Sequence, residues 1–246
     1  MRNIKLTLEY DGSRYSGWQR LGKGESENTI ENKLLEVLSR LPGGATELNC
    51  GSRTEVGVHA YGQIVNFKTK SELKLYEIKN YLNRYLPMDI AVLQAEEMPE
   101  RFHATLNAKS KTYLYRIAIG DAPSVFDRKY TYYSFRKPDI EKMREAARLL
   151  IGKYDCKDFS TVKKSKSTVK EIYTITIEEK GQELHITMTA NDFLHNMARM
   201  LAATLLDIGL GQRAPKDITA ILDPEQDVVA SLPASAQGLF LQKIEY

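Results

Sequence analysis

The stretch TELNCGSRTEVGVHAYGQIVNFKT, residues 46–69, contains two predicted β-strands separated by a polar loop. The strands are 46–50 and 63–69, and the second is rich in the β-branched and aromatic residues that favour strands. The loop between them is longer than a tight hairpin, which needs about two to five residues. Three functional side chains lie within it, those of Arg53, Glu55 and His59. The stretch therefore predicts a strand pair that carries a functional loop.

The segments on either side of this stretch complete an α+β unit. Apolar residues alternate in 3–10, which indicates a half-buried strand. A helix is predicted to begin near Asn28, with Glu31 three residues later as in a capping box. A second helix is predicted at Leu75–Tyr85 and a further strand at 90–95. The order β-α-β-β-α-β is that of the split βαβ unit in ferredoxin-like folds.

The second half of the chain repeats this order loosely, after a boundary near 99–108. The predicted elements are a strand at 111–119, a helix beginning at Pro138, strands at 171–179 and 184–190 joined by a turn at Lys180 and Gly181, a helix at 194–208 capped by Gly209, and a strand at 239–244. The sequence alone thus predicts an α+β protein with two halves of similar organisation.

The composition excludes several classes of protein. The chain has 246 residues, 42% of them hydrophobic, which is typical of a globular protein and not of a disordered one. No apolar run approaches the roughly 18 residues of a membrane helix, and the N-terminal residues do not resemble a signal peptide. We therefore expect a cytoplasmic protein. The two cysteines and four histidines have no zinc-site spacing, and no P-loop, dinucleotide fingerprint or nucleophile elbow is found, so we expect neither a metal nor a nucleotide cofactor.

The loop is the main candidate for chemistry. Arg53 and Glu55 are two positions apart, so their side chains point the same way if the chain is extended. The arginine would then keep the carboxylate ionised and oriented. Gly57 can supply a turn, and Gly62 can allow close approach of another strand. The alternative is an exposed ion pair without function, which is common on protein surfaces.

Aromatic and basic residues elsewhere suggest contact with RNA, although the net charge is only +3. Tyr113 and Tyr115 share one face of a predicted strand, and a tyrosine ring beside basic residues can hold an unstacked base. The alternative is that both are ordinary sheet-face aromatics. The candidate RNA-binding residues are Arg14, Arg20, Arg101, His103, Lys109, Lys111, Lys163, Lys164 and Lys166. For the basic loop at 163–166, simple solvation is the alternative.

The sequence resembles the tRNA pseudouridine synthase A family over essentially its whole length. That family's signature is approximately GRTDAGVHA followed by a GQV strand, and 52–64 is similar to it. Six further segments match in order: YDGSRYSGWQR at 10–20, RFHA at 101–104, KTYLY at 111–115, DFS at 158–160, NDFLHNMAR at 191–199 and GLFL at 238–241.

The resemblance implies a cofactor-free isomerase that converts uridine to pseudouridine in the anticodon stem-loop of tRNA, and a homodimer. It also implies the fold of that family: two ferredoxin-like halves, 1–105 with the catalytic loop and 106–246, which form one extended, mainly antiparallel sheet with helices on one face. By the same resemblance, Glu55 occupies the position of the catalytic aspartate and Arg53 that of its partner. Tyr113 corresponds to the tyrosine on which the base stacks, Leu241 to an apolar wall of the base pocket, and His59 to the signature histidine near the substrate.

Three positions in the loop depart from the family pattern. Glu55 stands where the family has aspartate, Ser52 where it has glycine and Val56 where it has alanine. An additional methylene moves the carboxylate oxygens by roughly 1 Å, which can cost on the order of 100-fold in rate. Two hypotheses follow: an active synthase whose loop is adjusted to glutamate, or a tRNA-binding relative with impaired or lost catalysis. A third, an RRM-like single-strand binder, lacks the expected glycine-aromatic motif.

Overall fold

The computed structural model describes residues 1–22, 24–161, 167–223, 225–226 and 228–246. The chain divides into two compact units. The first contains Met1–Lys109 together with Leu241–Tyr246, and the second contains Ser110–Phe240. In the described part of the chain, no helix has the length and apolar character required to cross a membrane.

The first unit has the predicted β-α-β-β-α-β order. Its elements are β1 (Arg2–Tyr10), α1 (Ile30–Leu38), β2 (Ala45–Cys50), β3 (His59–Thr69), α2 (Leu75–Tyr85) and β4 (Ile90–Met98). The strands are arranged in the order β4-β1-β3-β2, and each adjacent pair is antiparallel. This is the strand order of a ferredoxin-like fold, which confirms the prediction for this half.

The core of the first unit follows from the alternation in β1. Ile4, Leu6 and Leu8 are fully buried, and β1 pairs with β3 so that Ile4 lies opposite Phe67 and Leu6 opposite Val65. The helices contribute fully buried side chains of their own, Leu34 from α1 and Ile78 and Leu82 from α2. Helix α1 contacts α2, and α2 contacts β4, so both helices cover the same face of the sheet.

The second unit is also α+β. Its elements are β5 (Ser110–Ala118), β6 (Tyr132–Tyr133), α3 (Ile140–Leu149), β7 (Gly152–Asp155), β8 (Val169–Lys180), β9 (Glu183–Ala190), α4 (Met197–Gly209) and α5 (Asp217–Leu222). The order is β5-β9-β8-β7, all antiparallel, and β6 pairs with β5 in parallel. The last strand, β10 (Leu239–Glu245), begins in this unit. The α+β class with mainly antiparallel sheet is thus confirmed.

Two helix starts differ from their predictions. Helix α1 is capped by Thr29, whose side chain accepts from the backbone N–H of Asn32, while the Glu31 carboxylate binds the backbone N–H of Arg20 instead of closing a capping box. Helix α4 begins at Met197 and not at 194, because Asn196 has φ 62°, a left-handed conformation that interrupts a right-handed helix. Apolar spacing alone could not show either feature.

Candidate active site

The backbone of the loop at 51–58 is fixed by the buried side chain of Gln63, the fifth residue of β3. Its Oε1 accepts from the backbone N–H of Ser52 (3.3 Å), and its Nε2 donates to the carbonyl of the same residue (2.6 Å). Gln63 is fully buried and Ser52 is 7% exposed, so these bonds are shielded from water. A buried amide that satisfies both backbone groups of one residue holds the start of the loop in place.

Thr54 is the second anchor of the loop. Its hydroxyl lies 2.8 Å from the Oη of Tyr10, and its carbonyl accepts from the backbone N–H of Trp18 (3.0 Å). Tyr10 and Trp18 are 3% and 0% exposed, and their rings lie 6.1 Å apart. Burial raises the pKa of the Tyr10 phenol, so the group stays protonated at neutral pH. The residue before Glu55 is therefore held on both its side chain and its backbone.

Glu55 lies in a tight turn that follows these anchors. Its carbonyl accepts from the backbone N–H of Val58 (3.2 Å), and Gly57 has φ +77°, as its predicted turn role requires. Val56 is 64% exposed, so its β-branched side chain projects into solvent and does not crowd the loop. The Glu55 side chain itself is half-buried. The loop thus carries a half-buried glutamate on a backbone that is held at Ser52, at Thr54 and by the turn to Val58.

Arg53 does not have the predicted contact. It is exposed, Thr54 is buried and Glu55 is half-buried, so the three residues have different environments. Among the described residues, Arg53 and Glu55 do not form an ion pair with each other. The pair expected from their spacing is therefore wrong for this structure, whereas a catalytic role of either residue stays a prediction.

His59 connects the loop to the end of β1. Its Nδ1 accepts from the backbone N–H of Gly12 (3.1 Å) and lies 3.2 Å from Oδ1 of Asp11, and the residue is 1% exposed. A single ring nitrogen cannot accept from one group and donate to the other at the same time, so Nδ1 makes one of these two contacts at a time. His59 therefore supports the loop, and its contact with substrate stays a prediction.

The basic residues of the first unit have varied surroundings. The Arg14 guanidinium forms an ion pair with Asp89, which also accepts from the Tyr15 hydroxyl. Arg20, Arg101 and Lys109 are exposed. The ring of His103 is fixed by backbone N–H groups, the nearest that of Thr105 at 3.2 Å from Nδ1. Arg101 and His103 border a groove of about 480 Å³ that also contains carboxylates.

In the second unit, Tyr113 is 4% exposed, and its ring meets that of Phe193 edge-on, with centroids 5.0 Å apart. Lys111 has its Nζ 2.6 Å from Oδ1 of Asp192, and its contact with RNA stays a prediction. Leu241, which belongs to the first unit, is fully buried. Lys163, Lys164 and Lys166 lie outside the described residues.

Nothing in the sequence pointed to Gln63 or Tyr10 as anchors of the loop, because their partners are far away in the chain.

The donor groups of the described residues provide no metal site. No cluster of three or more His, Cys, Asp or Glu side chains is arranged to hold an ion in that part of the chain.

The predicted close approach at Gly62 is present, because a Cβ at this position would lie 2.6 Å from the carbonyl oxygen of Gln242. Backbone packing at β3 thus requires glycine just before the anchoring Gln63.

Replacement of Gln63 tests the first anchor. We expect Gln63→Leu to lower the free energy of unfolding by about 2–3 kcal/mol, because it leaves the buried N–H and carbonyl of Ser52 without their partner. Urea denaturation measures the change. The control is Gln242→Leu, the same substitution at an exposed position, for which a change within about 0.5 kcal/mol is expected. Equal effects of the two variants would contradict the anchoring role.

Comparison with known proteins places the chain among RNA-modifying enzymes. A family model described as tRNA pseudouridine synthase matches residues 7–107 and 146–246. The chain is 42% identical over 247 residues to tRNA pseudouridine synthase A 2 of Bacillus anthracis, with 100% of both chains covered. It is 42% identical to tRNA pseudouridine synthase A of Bacillus sp. (strain KSM-64), also over 100% of both chains. The protein named tRNA pseudouridine synthase A 2 in Clostridium perfringens (strain 13 / Type A) is 38% identical over 250 residues, with 100% of both chains covered.

Among solved structures, the crystal structure of a Cbf5-Nop10-Gar1 complex matches 95% of this chain and 47% of its own, with a TM-score of 0.37 and 10% sequence identity. This similarity is too low to support any detail of the site.

Proposed function

This chain belongs to the tRNA pseudouridine synthase family, and we propose that it isomerises uridine to pseudouridine in the anticodon stem-loop of tRNA. The observation that supports an active site at the loop is the half-buried Glu55, which follows a residue anchored on both its side chain and its backbone. An anchored backbone limits where the Glu55 carboxylate can lie, and this matters for a reaction at the ribose or the base because a misplacement of about 1 Å can cost on the order of 100-fold in rate.

The proposed reaction exchanges one glycosidic bond for another. The bond from C1′ of the ribose to N1 of uracil breaks, and a bond from C1′ to C5 forms. The hydrogen on C5 is released to water, and N1 gains a proton. No electrons leave the substrate, so the reaction needs no redox cofactor. The target uridine has to leave its base stack before either bond can change.

Glu55 is the proposed catalytic carboxylate. It would attack C1′, attack C6 or remove the 2′ proton, and each of these steps needs an ionised, accessible carboxylate beside the nucleoside. Arg53 would supply positive charge to the neighbouring phosphates of the tRNA. In this proposal Tyr113 supports the uracil ring and Leu241 forms part of the apolar wall around it. We also expect the enzyme to act as a homodimer.

The direct test uses tRNA with tritium at C5 of uridine. We expect the wild-type protein to release tritium with multiple turnovers, and chemical mapping to place the product in the anticodon stem-loop. Tritium release with no pseudouridine in that stem-loop would contradict the proposed position of the target uridine but not the proposed activity. Tight binding of tRNA with no release would contradict the activity and would favour a binding protein that has lost catalysis. Sedimentation of the full chain tests the dimer.

A further inference from the structure

One cluster of charges in the second unit has no role in the reaction as proposed. The carboxylate of Asp192 binds two ammonium groups, Lys111 Nζ at 2.6 Å from Oδ1 and Lys170 Nζ at 3.0 Å from Oδ2. The lysine side chains are only 12% and 13% exposed, and that of Asp192 is 41% exposed. We refer to these three residues as the lysine–aspartate clamp.

The clamp connects three neighbouring strands at one end. Lys111 is the second residue of β5, Lys170 is the second residue of β8, and Asp192 follows the last residue of β9 by two positions. In the sheet, Ala190 of β9 lies opposite Lys111 of β5 and opposite Ile172 of β8. The clamp therefore fixes the point at which the chain leaves β9.

Asp192 carries its charge despite its partial burial. Burial acts to raise the pKa of this carboxyl, but Lys111 and Lys170 outweigh it and hold the pKa below its usual range. Without the carboxylate, two nearly buried ammonium groups would remain side by side, and their repulsion would move at least one of them toward water. The negative charge of Asp192 thus contributes to the position of the chain after β9, beside the two hydrogen bonds between Asn191 and the backbone of Glu171.

The clamp lies next to a contact between two rings. Phe193 is the next residue after Asp192, and its ring packs edge-on against Tyr113, with an interplanar angle of 76° and a centroid distance of 5.0 Å. Tyr113 is two positions after Lys111 on β5, so the two side chains lie on the same face of the strand. Phe193 is thus adjacent in sequence to Asp192, and Tyr113 lies two positions from Lys111 on the same face of β5. Edge-on ring pairs are stabilising and have a preferred geometry, so the contact with Phe193 favours one orientation of the Tyr113 ring.

We propose that Asp192, held by Lys111 and Lys170, is a positioning residue that fixes Phe193 against Tyr113 and thereby sets the orientation of the Tyr113 ring for the target base. This inference rests on the proposed function, in which Tyr113 supports the uracil. The affinity for tRNA comes mainly from phosphate contacts, whereas the ring acts on the base after binding. A loosened ring should therefore lower kcat and leave KM nearly unchanged.

The first experiment measures kinetics. We expect Asp192→Asn to lower kcat for tritium release about tenfold with KM within about twofold of wild type, because the ring loses its fixed orientation. In a Phe193→Ala background, the same substitution should change kcat by less than about twofold, since the contact through which Asp192 acts is already lost. An equal loss of kcat in both backgrounds would overturn the proposal.

The matched control is Glu96→Gln in the first unit. It removes the carboxylate of an ion pair with Lys5, and the two side chains of that pair are exposed to a similar extent as those of the clamp. A loss of kcat in Glu96→Gln equal to that in Asp192→Asn would also overturn the proposal.

The second experiment does not depend on activity. A 3-fluorotyrosine placed at position 113 of the full chain reports the surroundings of the ring by fluorine NMR. We expect its resonance to shift in Asp192→Asn and in Phe193→Leu, and to stay unchanged in Glu96→Gln. Lys170→Gln retains the contact between Lys111 and Asp192 and should therefore give a smaller shift of the resonance. This variant replaces Asp192→Asn in the test if Asp192→Asn does not fold. An unchanged resonance in Asp192→Asn, or in Lys170→Gln if only that variant folds, would overturn the positioning role. Absence of tritium release from the wild type would instead contradict the proposed function alone.

Discussion

Replacement of Glu55 by alanine is expected to lower the rate of tritium release by about 10⁴-fold or more, while tRNA binding changes by less than about threefold. Removal of the central group of an active site costs on the order of 10⁴–10⁶-fold in well-studied enzymes. The side chain is half-buried at a turn, and Val56 beside it is exposed, so the truncation should leave the fold intact. Release of tritium and filter binding of tRNA measure the two quantities on the same preparations.

Glu55→Asp is the matched control, because it retains the charge and shortens the side chain by one methylene. If the loop positions the glutamate carboxylate correctly for the reaction, the carboxylate oxygens of the aspartate variant lie roughly 1 Å from that position. The rate should then fall on the order of 100-fold. A higher rate in the aspartate variant would show that the native glutamate impairs catalysis. An alanine variant that keeps more than a tenth of the wild-type rate would exclude Glu55 as the catalytic carboxylate.

Replacement of Gly12 by alanine is expected to lower the free energy of unfolding by about 3 kcal/mol or more. A Cβ at this position would lie 2.0 Å from the carbonyl oxygen of Val58 and 2.6 Å from its carbonyl carbon. Both atoms are backbone, so neither can move aside by a change of rotamer, and overpacking of this kind costs about 1–3 kcal/mol or more. The shift should also weaken the bond from the Gly12 N–H to His59.

Gly22→Ala is the control for this substitution. A Cβ at Gly22 meets none of the described atoms within 4 Å, so a change within about 0.5 kcal/mol is expected. Urea denaturation of both variants gives the comparison, and tritium release shows whether displacement of Val58 also disturbs the loop. Equal stability of the two variants would contradict the close packing of Gly12 against Val58.

Local patterns explain why much of the fold could be predicted. The alternation in β1 and the helical spacing in α2 are properties of neighbouring residues, and both elements are present close to their expected positions. The glycines were also informative, because the turn at Gly57 and the close approach at Gly62 follow from the absence of a Cβ. Short elements such as β7 and α5 were missed, since four to six residues carry too little periodicity to recognise.

The candidate site shows where prediction from spacing fails. An extended chain at 53–55 would have brought Arg53 beside Glu55, but the environment of each residue is set by contacts with distant segments. Thr54 is held by Tyr10, which is 44 positions away, and Ser52 by Gln63, which is 11 positions away. The ion pair of Lys111 with Asp192 could not be predicted either, because the two residues are 81 positions apart in the chain.

The sequence by itself determined the order of elements in the first unit, the location of the loop and the family to which it is similar, because each is encoded in residues close together in the chain. Only the tertiary structure decided which side chains anchor the loop, that Asp192 joins two lysines, and that Leu241–Tyr246 belongs with the first unit, where Tyr246 donates to the carbonyl of Ala104. Such contacts depend on which of many distant groups meet when apolar surface is buried, and that choice is made by packing of the whole unit rather than by any local pattern.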